Sequence, residues 1–151
     1  MKKIKFNKLI SLFLLVVISM FIYNINLIYA NNINKNIQIT AHRGSSIFYP
    51  DNTFASIDEA ILENTDYVEI DLRITKDNQV VVFHDNNLKR VDNSNLKIED
   101  MTLEEVKKID NGSYKNKLFS EEKIPTLEEL LKRYKIKVNF NFHLKVRDKD
   151  R

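Results

Sequence analysis

Asp66-Tyr-Val-Glu-Ile-Asp-Leu-Arg73 is the stretch whose reading decides the fold. As a strand, its period of two sends Val68, Ile70 and Leu72, with Ile74 beyond, to one face and Tyr67, Glu69, Asp71 and Arg73 to the other. The apolar face suits a sheet packed under helices. The opposite face carries two carboxylates, and Glu and Asp are poor strand formers that are costly to bury without a partner. Successive same-face residues lie about 6.6 Å apart at Cα, so both side chains can converge on one hard cation held through oxygen at about 2.3 to 2.6 Å. Alone, a Glu-x-Asp pair reads as the solvated face of an edge strand. Its surroundings argue otherwise. Ala41-His42-Arg43-Gly44 and Pro50-Asp51-Asn52-Thr53 lie upstream and Val81-Val82-Phe83-His84-Asp85 downstream, so two of the chain's 3 histidines end short strands on either side of the carboxylates.

The flanking elements follow from the same patterns. Asn36 to Ala41 alternates and reads as a first strand ending at His42, after which Gly44 permits a sharp turn or a close approach to a ligand. Thr53 caps a helix to about Glu63, with Phe54, Ile57, Ile61 and Leu62 as its buried stripe. Lys76-Asp-Asn-Gln79 is a polar turn into a third strand, Val80 to His84. Asn86 to Asp100 is a polar loop, in which Arg90 reads as a solvated turn residue, as does Asp77 in the turn before it. Thr102-Leu-Glu-Glu105 and Thr126-Leu-Glu-Glu129 are capping boxes opening two helices, the second burying Leu127, Leu130, Leu131 and Tyr134. The last strand, Lys137 to Lys145, places Val138, Phe140, Phe142 and Leu144 on one face and Asn139, Asn141, His143 and Lys145 on the other. Strands joined mostly by helices indicate an α/β parallel sheet, and functional residues at strand ends indicate the loop face of a (β/α) barrel.

Residues 1–30 are of a different kind. Lys2, Lys3, Lys5 and Lys8 precede a charge-free run from Leu9 to Asn34 whose apolar core is Leu9 to Tyr23, and Ala30 stands before a polar stretch. This is the layout of a secretory signal peptide; left uncleaved, residues 9–30 would serve as a signal anchor in a membrane, with the lysines inside. The expected organisation is a leader over 1–30, an Asn-rich linker over 31–36 and a domain over 37–151, exported to the cell envelope or beyond. Without the four leader lysines, 20 basic residues face 21 acidic ones, so the net charge of +3 belongs to the leader and no nucleic-acid partner is implied. With 0 cysteines, stability outside the cell has to come from packing.

His42-Arg43-Gly44, Pro50-Asp51-Asn52-Thr53, Glu69-Ile-Asp71 with Thr75-Lys76-Asp77, His84-Asp85 and Ile124-Pro-Thr-Leu-Glu-Glu129, in that order, resemble the glycerophosphodiester phosphodiesterase family over residues 37 to 145. The resemblance implies a TIM-type barrel and metal-dependent hydrolysis of glycerophosphodiesters to glycerol 3-phosphate and an alcohol, in lipid metabolism, with Ca²⁺ or Mg²⁺ in the site. It implies His42 and His84 as the acid/base pair, Arg43 and Lys145 as substrate contacts, and Glu69 and Asp71 as metal ligands, with Asp51, Asn52 and Asp85 in support. Asp51 stands where the family usually has Glu. His143 stands where the family has a Glu ligand, and imidazole is a poor donor to Ca²⁺ or Mg²⁺, so weaker binding or a softer metal is expected there.

A TIM barrel typically takes about 250 residues, whereas 151 residues less a 30-residue leader leave 121. The expectation is a partial barrel of about four of eight strands, with exposed edges and part of the site missing. Such a piece calls for a second half-barrel or a dimer, or is a non-catalytic relic.

Overall fold

The computed structural model describes residues 2–34 and 37–145. The chain divides into two compact units, Met1–Gln38 and Ile39–Arg151. The first holds helix α1 (Lys2–Asn34), built from a run without Pro or Gly. It continues over Asn31 to Asn34, most of the segment expected as a linker; residues 35 and 36, and residues 146–151 at the other end, lie outside the described residues. The side chains from Leu12 to Ile28 are exposed. Among the described residues, no helix is long and apolar enough to cross a membrane.

The second unit is organised on β2 (Tyr67–Ile74), which pairs with every other strand. β1 (Thr40–His42) lies parallel to its first half, Thr40 beside Tyr67 and His42 beside Glu69. β4 (Asn139–Leu144) runs parallel to it from Tyr67 to Leu72, placing Asn141 beside Glu69 and His143 beside Asp71. The carbonyls of Glu69 and Asp71 accept from Arg43 and Phe83, whereas that of Leu72 accepts from Lys145. Strand carbonyls alternate in direction, so β1 and β3 share one edge of β2 and β4 takes the other.

β3 (Val80–Val82) pairs antiparallel with β2, Leu72 opposite Val82 and Ile74 opposite Val80. The sheet therefore has its four strands, but three of them are parallel. The reason is the length of the turn: Thr75 to Gln79 is long enough for a hairpin and far too short for the crossover a parallel pair needs. His84 lies beyond this strand rather than at its end.

α2 (Phe54–Leu62) and α5 (Leu127–Tyr134) cover the apolar face of the sheet, forming one core with Val68, Ile70, Leu72 and Val82. Each begins with the expected cap. Thr53 accepts from Ser56 N–H while Ser56 Oγ accepts from Thr53 N–H, and Thr126 and Glu129 are reciprocally bonded in the same way. Ile57, Ala60, Leu130 and Tyr134 are fully buried. Leu62 and Leu131, expected inside, are instead exposed: each follows an apolar residue that packs into the core, and Ala60 and Leu130 hold the inward positions. The segment from Val81 to Ile124, including α3 (Lys89–Asp92) and α4 (Leu103–Val106), has a second core of Phe83, Leu88, Ile98, Met101, Val106, Ile109 and Ile124. Asp77 is not a free turn residue. Its carboxylate accepts from Thr75 Oγ1 at 2.6 Å and from Leu103 N–H at 3.0 Å, fastening the hairpin to the start of α4.

On β4 the inward parity holds only in part. Phe140 packs against the core, but Phe142 and Leu144 are 48% and 70% exposed on the apolar face, because among the described residues no helix or strand covers β4 beyond Phe140. Leu130→Ala should lower unfolding free energy by about 2–5 kcal/mol, the usual range for a buried Leu, and Leu131→Ala by less than about 0.5 kcal/mol, as for surface positions; urea unfolding of the two variants measures the contrast.

Candidate active site

The polar face of β2 is where the strand register gathers chemistry. Parallel neighbours in register point the same way, so His42 joins Glu69 from β1, and Asn141 and His143 join Glu69 and Asp71 from β4. Asp71 is the most enclosed of these, its side chain 1% exposed. Asn52 holds one of its oxygens in a two-way contact: Asn52 Nδ2 donates to Asp71 Oδ2 at 3.0 Å, and Asp71 N–H donates to Asn52 Oδ1 at 3.1 Å. Arg43 Nε lies 3.2 Å from the same oxygen. Around the other, Oδ1, stand Lys145 Nζ at 3.0 Å and His143 Nδ1 at 3.1 Å, yet no well-directed hydrogen bond reaches it. Burial pushes the Asp71 carboxyl up, but the Asn52 hydrogen bond and the Lys145 ammonium outweigh it and hold the group below its ordinary value.

Glu69 is more open. Its Oε2 accepts from Arg43 N–H at 3.2 Å and lies 3.9 Å from His42 Nε2, while Oε1 lies 3.5 Å from His143 Nδ1. One ligand atom each from Glu69, Asp71 and His143 fall within 4.8 Å of one another. With the undirected buried oxygen of Asp71 among them, this donor set fits a divalent cation.

The backbone that delivers Arg43 and Asn52 is left-handed at both residues and at Gly44 between them, φ +58°, +61° and +81°. Gly44 is required there twice over: the positive φ disfavours a side chain, and a Cβ would come within 2.5 Å of Ser56 Oγ. Asn tolerates the left-handed region better than most residues, which suits Asn52 to its turn.

His84 is set by a separate network. Its Nδ1 lies 2.7 Å from Asp85 Oδ1, and its carbonyl accepts from Arg73 Nη2 at 2.7 Å. Asp85 thus orients the ring. Arg90 Nε donates to Asp85 Oδ2 at 2.6 Å, and its Nη1 donates to Asp51 Oδ1 at 2.6 Å. The Tyr114 hydroxyl donates to the same Asp51 oxygen, and the Arg90 guanidinium lies 4.4 Å from the Tyr114 ring centre. Burial raises Asp51 and Asp85, but in each case the hydrogen bonds, first that of Arg90, win and keep the carboxyl ionised below its ordinary range. Burial and the neighbouring Asp51 carboxylate push Tyr114 up to about 12.

Every residue singled out from sequence therefore meets another of the set, in two linked groups: Glu69 and Asp71 with His42, Arg43, Asn52, His143 and Lys145, and His84 with Asp85. Asp51 connects the groups, lying 3.5 Å from Arg43 and bonded to Arg90. Arg90 corrects the expectation of a solvated residue. Its place follows from α3 folding back after His84-Asp85. Tyr114, 63 positions from Asp51 along the chain, had no local signal at all.

Carboxylates, histidines and cations on one face of a sheet with a parallel core, whose other face lies under helices, define an α/β protein of the TIM-barrel type. The chain belongs to the glycerophosphoryl diester phosphodiesterase family, whose sequence profile matches residues 42–151. It is similar to a glycerophosphodiester phosphodiesterase of Bacillus subtilis (strain 168), 37% identical over an alignment of 120 residues that covers 74% of this chain and 41% of that one. Among solved structures it is similar to a glycerophosphodiester phosphodiesterase from Agrobacterium tumefaciens, with TM-score 0.70 and 32% identity over 74% of this chain and 48% of that one. It is also similar to an Oleispira antarctica phosphodiesterase solved with its product sn-glycerol-3-phosphate, with TM-score 0.68 and 37% identity over 72% of this chain and 44% of that one. The chain spans less than half the length of the curated relatives it matches, so the sheet is part of a TIM-type barrel.

Because the folded-state values of Asp51, Asp71 and Asp85 all lie below those of the unfolded chain, their contribution is complete above the ordinary carboxylate value of about 3.9 and is lost as pH falls through the depressed values. Asp51→Asn should therefore be less stable than the parent at pH 7 and lose less on acidification. Thermal melts between pH 7 and pH 2.5 test this, and parallel acid limbs for the two proteins would refute it.

Proposed function

We propose that this domain hydrolyses glycerophosphodiesters to glycerol 3-phosphate and an alcohol, in turnover of lipid-derived diesters. The observation that carries the reading is Asp71, a carboxylate removed from water with one oxygen fixed by Asn52 and the other directed at His143 and Lys145. A phosphodiester is an anion, and a site for one needs cationic groups held in place and proton donors and acceptors beside them. Glu69, Asp71 and the β4 position of His143 would hold a divalent cation, for which the family resemblance implies Ca²⁺ or Mg²⁺. When bound, the ion supplies positive charge to the non-bridging phosphate oxygens.

The chain's own residues do the rest. Arg43, anchored by Asp51 and Asp71, turns its guanidinium into the same face as Glu69 and adds a second positive charge. Lys145 adds a third. In the reaction, water adds to phosphorus while the bond to the alcohol oxygen breaks. One imidazole takes the proton from water and the other returns a proton to the leaving alkoxide, so that no free hydroxide or alkoxide forms. His84 is suited to one of these roles because Asp85 occupies its Nδ1 and leaves Nε2 to exchange the proton. His42, exposed above Glu69, is suited to the other.

A second reading has its own support. The exposed apolar side chains of Phe142 and Leu144 at the uncovered edge of β4 suit a chain that completes its barrel with a second half-barrel or a further copy, and that is inactive alone. For the leader, the reading is export: the basic start and the apolar α1 act as a secretory signal cleaved near Ala30, with retention in the membrane as the outcome if cleavage fails.

Purified chain should release glycerol 3-phosphate from glycerophosphocholine in the presence of divalent metal. His42→Ala and His84→Ala should each lower kcat by about 10²- to 10⁴-fold, the usual weight of a positioned acid or base. Turnover undiminished in both variants would refute the mechanism. Turnover that appears only in a size-exclusion fraction larger than the monomer would establish the assembled half-barrel.

A further inference from the structure

The reading of Glu69 and Asp71 as cation ligands underlies one further step. We propose that Glu69, Asp71 and His143 form a mixed oxygen–nitrogen site for a divalent metal that accepts imidazole, of the Zn²⁺ class, and that Lys145 competes with the ion for Asp71.

Three observations carry this. First, Asp71 Oδ1 is buried, receives no directed hydrogen bond, and faces the other donors, whereas Oδ2 is satisfied by Asn52. A buried carboxylate oxygen compensated by an ammonium that makes no directed hydrogen bond to it is one that a metal cation can take over. Second, the third donor is a nitrogen. His143 lies beside Asp71 in the parallel register, with Nδ1 3.1 Å from Asp71 Oδ1 and 3.5 Å from Glu69 Oε1. Ca²⁺ takes six to eight oxygen ligands and Mg²⁺ near-ideal octahedral oxygen, whereas imidazole together with carboxylates is a donor set used by Zn²⁺. Third, the site is open on one side. The His143 side chain is 56% exposed, against 1% for Asp71, so three protein ligands leave further positions for water or a phosphate oxygen, as in catalytic rather than structural zinc sites.

Lys145 bears on affinity. Its ammonium lies 3.0 Å from Asp71 Oδ1 and 3.1 Å from His143 Nδ1, which is where a metal ligated by both atoms must come close. Ion and ammonium repel each other, so the lysine has to move away as the metal enters. The same lysine thereby sets a penalty on metal binding.

The test reads binding rather than turnover, using the full chain. Zn²⁺, Ca²⁺ and Mg²⁺ are titrated by calorimetry into the parent, His143→Glu, His143→Ala and Lys145→Met proteins, and Co²⁺ is added to each for its visible absorption. Zn²⁺ commonly binds nitrogen- and oxygen-bearing sites more tightly than Mg²⁺ or Ca²⁺, so the deciding quantity is the dependence on His143. The Zn²⁺ to Ca²⁺ affinity ratio should fall at least tenfold in His143→Glu, with Ca²⁺ binding gained. The Co²⁺ absorption of the parent should change in both His143 variants, and Lys145→Met should tighten both ions. The position is exposed, and circular dichroism confirms that the variants keep the fold. Zn²⁺ affinity and Co²⁺ absorption unchanged in His143→Ala, a ratio unchanged in His143→Glu, or no bound ion at all would each overturn the proposal. An inactive chain that shows the His143-dependent preference would refute hydrolysis while sustaining the metal assignment, and a chain that turns over with Ca²⁺ and binds it independently of His143 would do the reverse.

Discussion

The structure depends on keeping one ionised carboxylate, Asp71, out of water in the middle of a sheet. Nothing in the backbone favours this. Asp is a poor strand residue, and an uncompensated buried charge would cost several kcal/mol. The compensation comes from four separate places: Asn52 and Arg43 from the turns after β1, and His143 and Lys145 from β4 and the residue after it. Each lies at a different distance along the chain, Asn52 and Arg43 meeting one oxygen of the carboxylate and His143 and Lys145 standing at the other. Folding of the sheet and assembly of the charged cluster are one event.

That coupling explains the unusual backbone between β1 and α2. The left-handed conformations at Arg43, Gly44 and Asn52 are unfavourable for most residues, and they persist because they put a guanidinium and an amide on Asp71. The packing of Gly44 against Ser56, within the α2 capping box, ties the same turn to the helix that covers the apolar face. The two faces of the sheet are thereby linked through one short segment. A further linkage runs from Asp51 through Arg90 to Asp85 and His84, so the excursion after β3, which has its own small core, is fastened to the site by charge as well as by the Tyr49–Phe119 ring contact.

The strand faces, the three helix caps and the clustering of His42, Glu69, Asp71 and His143 were legible in the sequence, because period-two alternation and capping chemistry are local and the register follows from the need to bury one parity. Other features were not. The antiparallel course of β3 was readable in principle from the length of its turn, yet its apolar run looked like any buried strand. Leu62 and Leu131 are as apolar as their buried neighbours, and only the direction of the sheet says which side of the helix is covered. Arg90 and Asp77, charged and in polar loops, had the composition of solvated residues; what made them ordered was the arrival of Asp51 and of Leu103 N–H from elsewhere in the chain.

The sequence by itself determined that the chain has an apolar N-terminal run, an α/β sheet with a parallel core, and a set of carboxylates and histidines sharing its polar face. These properties are written in patterns a few residues long, repeated at the periods of strand and helix. Tertiary structure alone decided which oxygen of Asp71 is satisfied and which is left facing His143, that Lys145 stands beside both, and that Tyr114 reaches Asp51 across 63 residues. Such outcomes depend on distances between segments far apart in sequence, and they are set only when burial forces each polar group to find a partner among whatever the packed fold brings within reach.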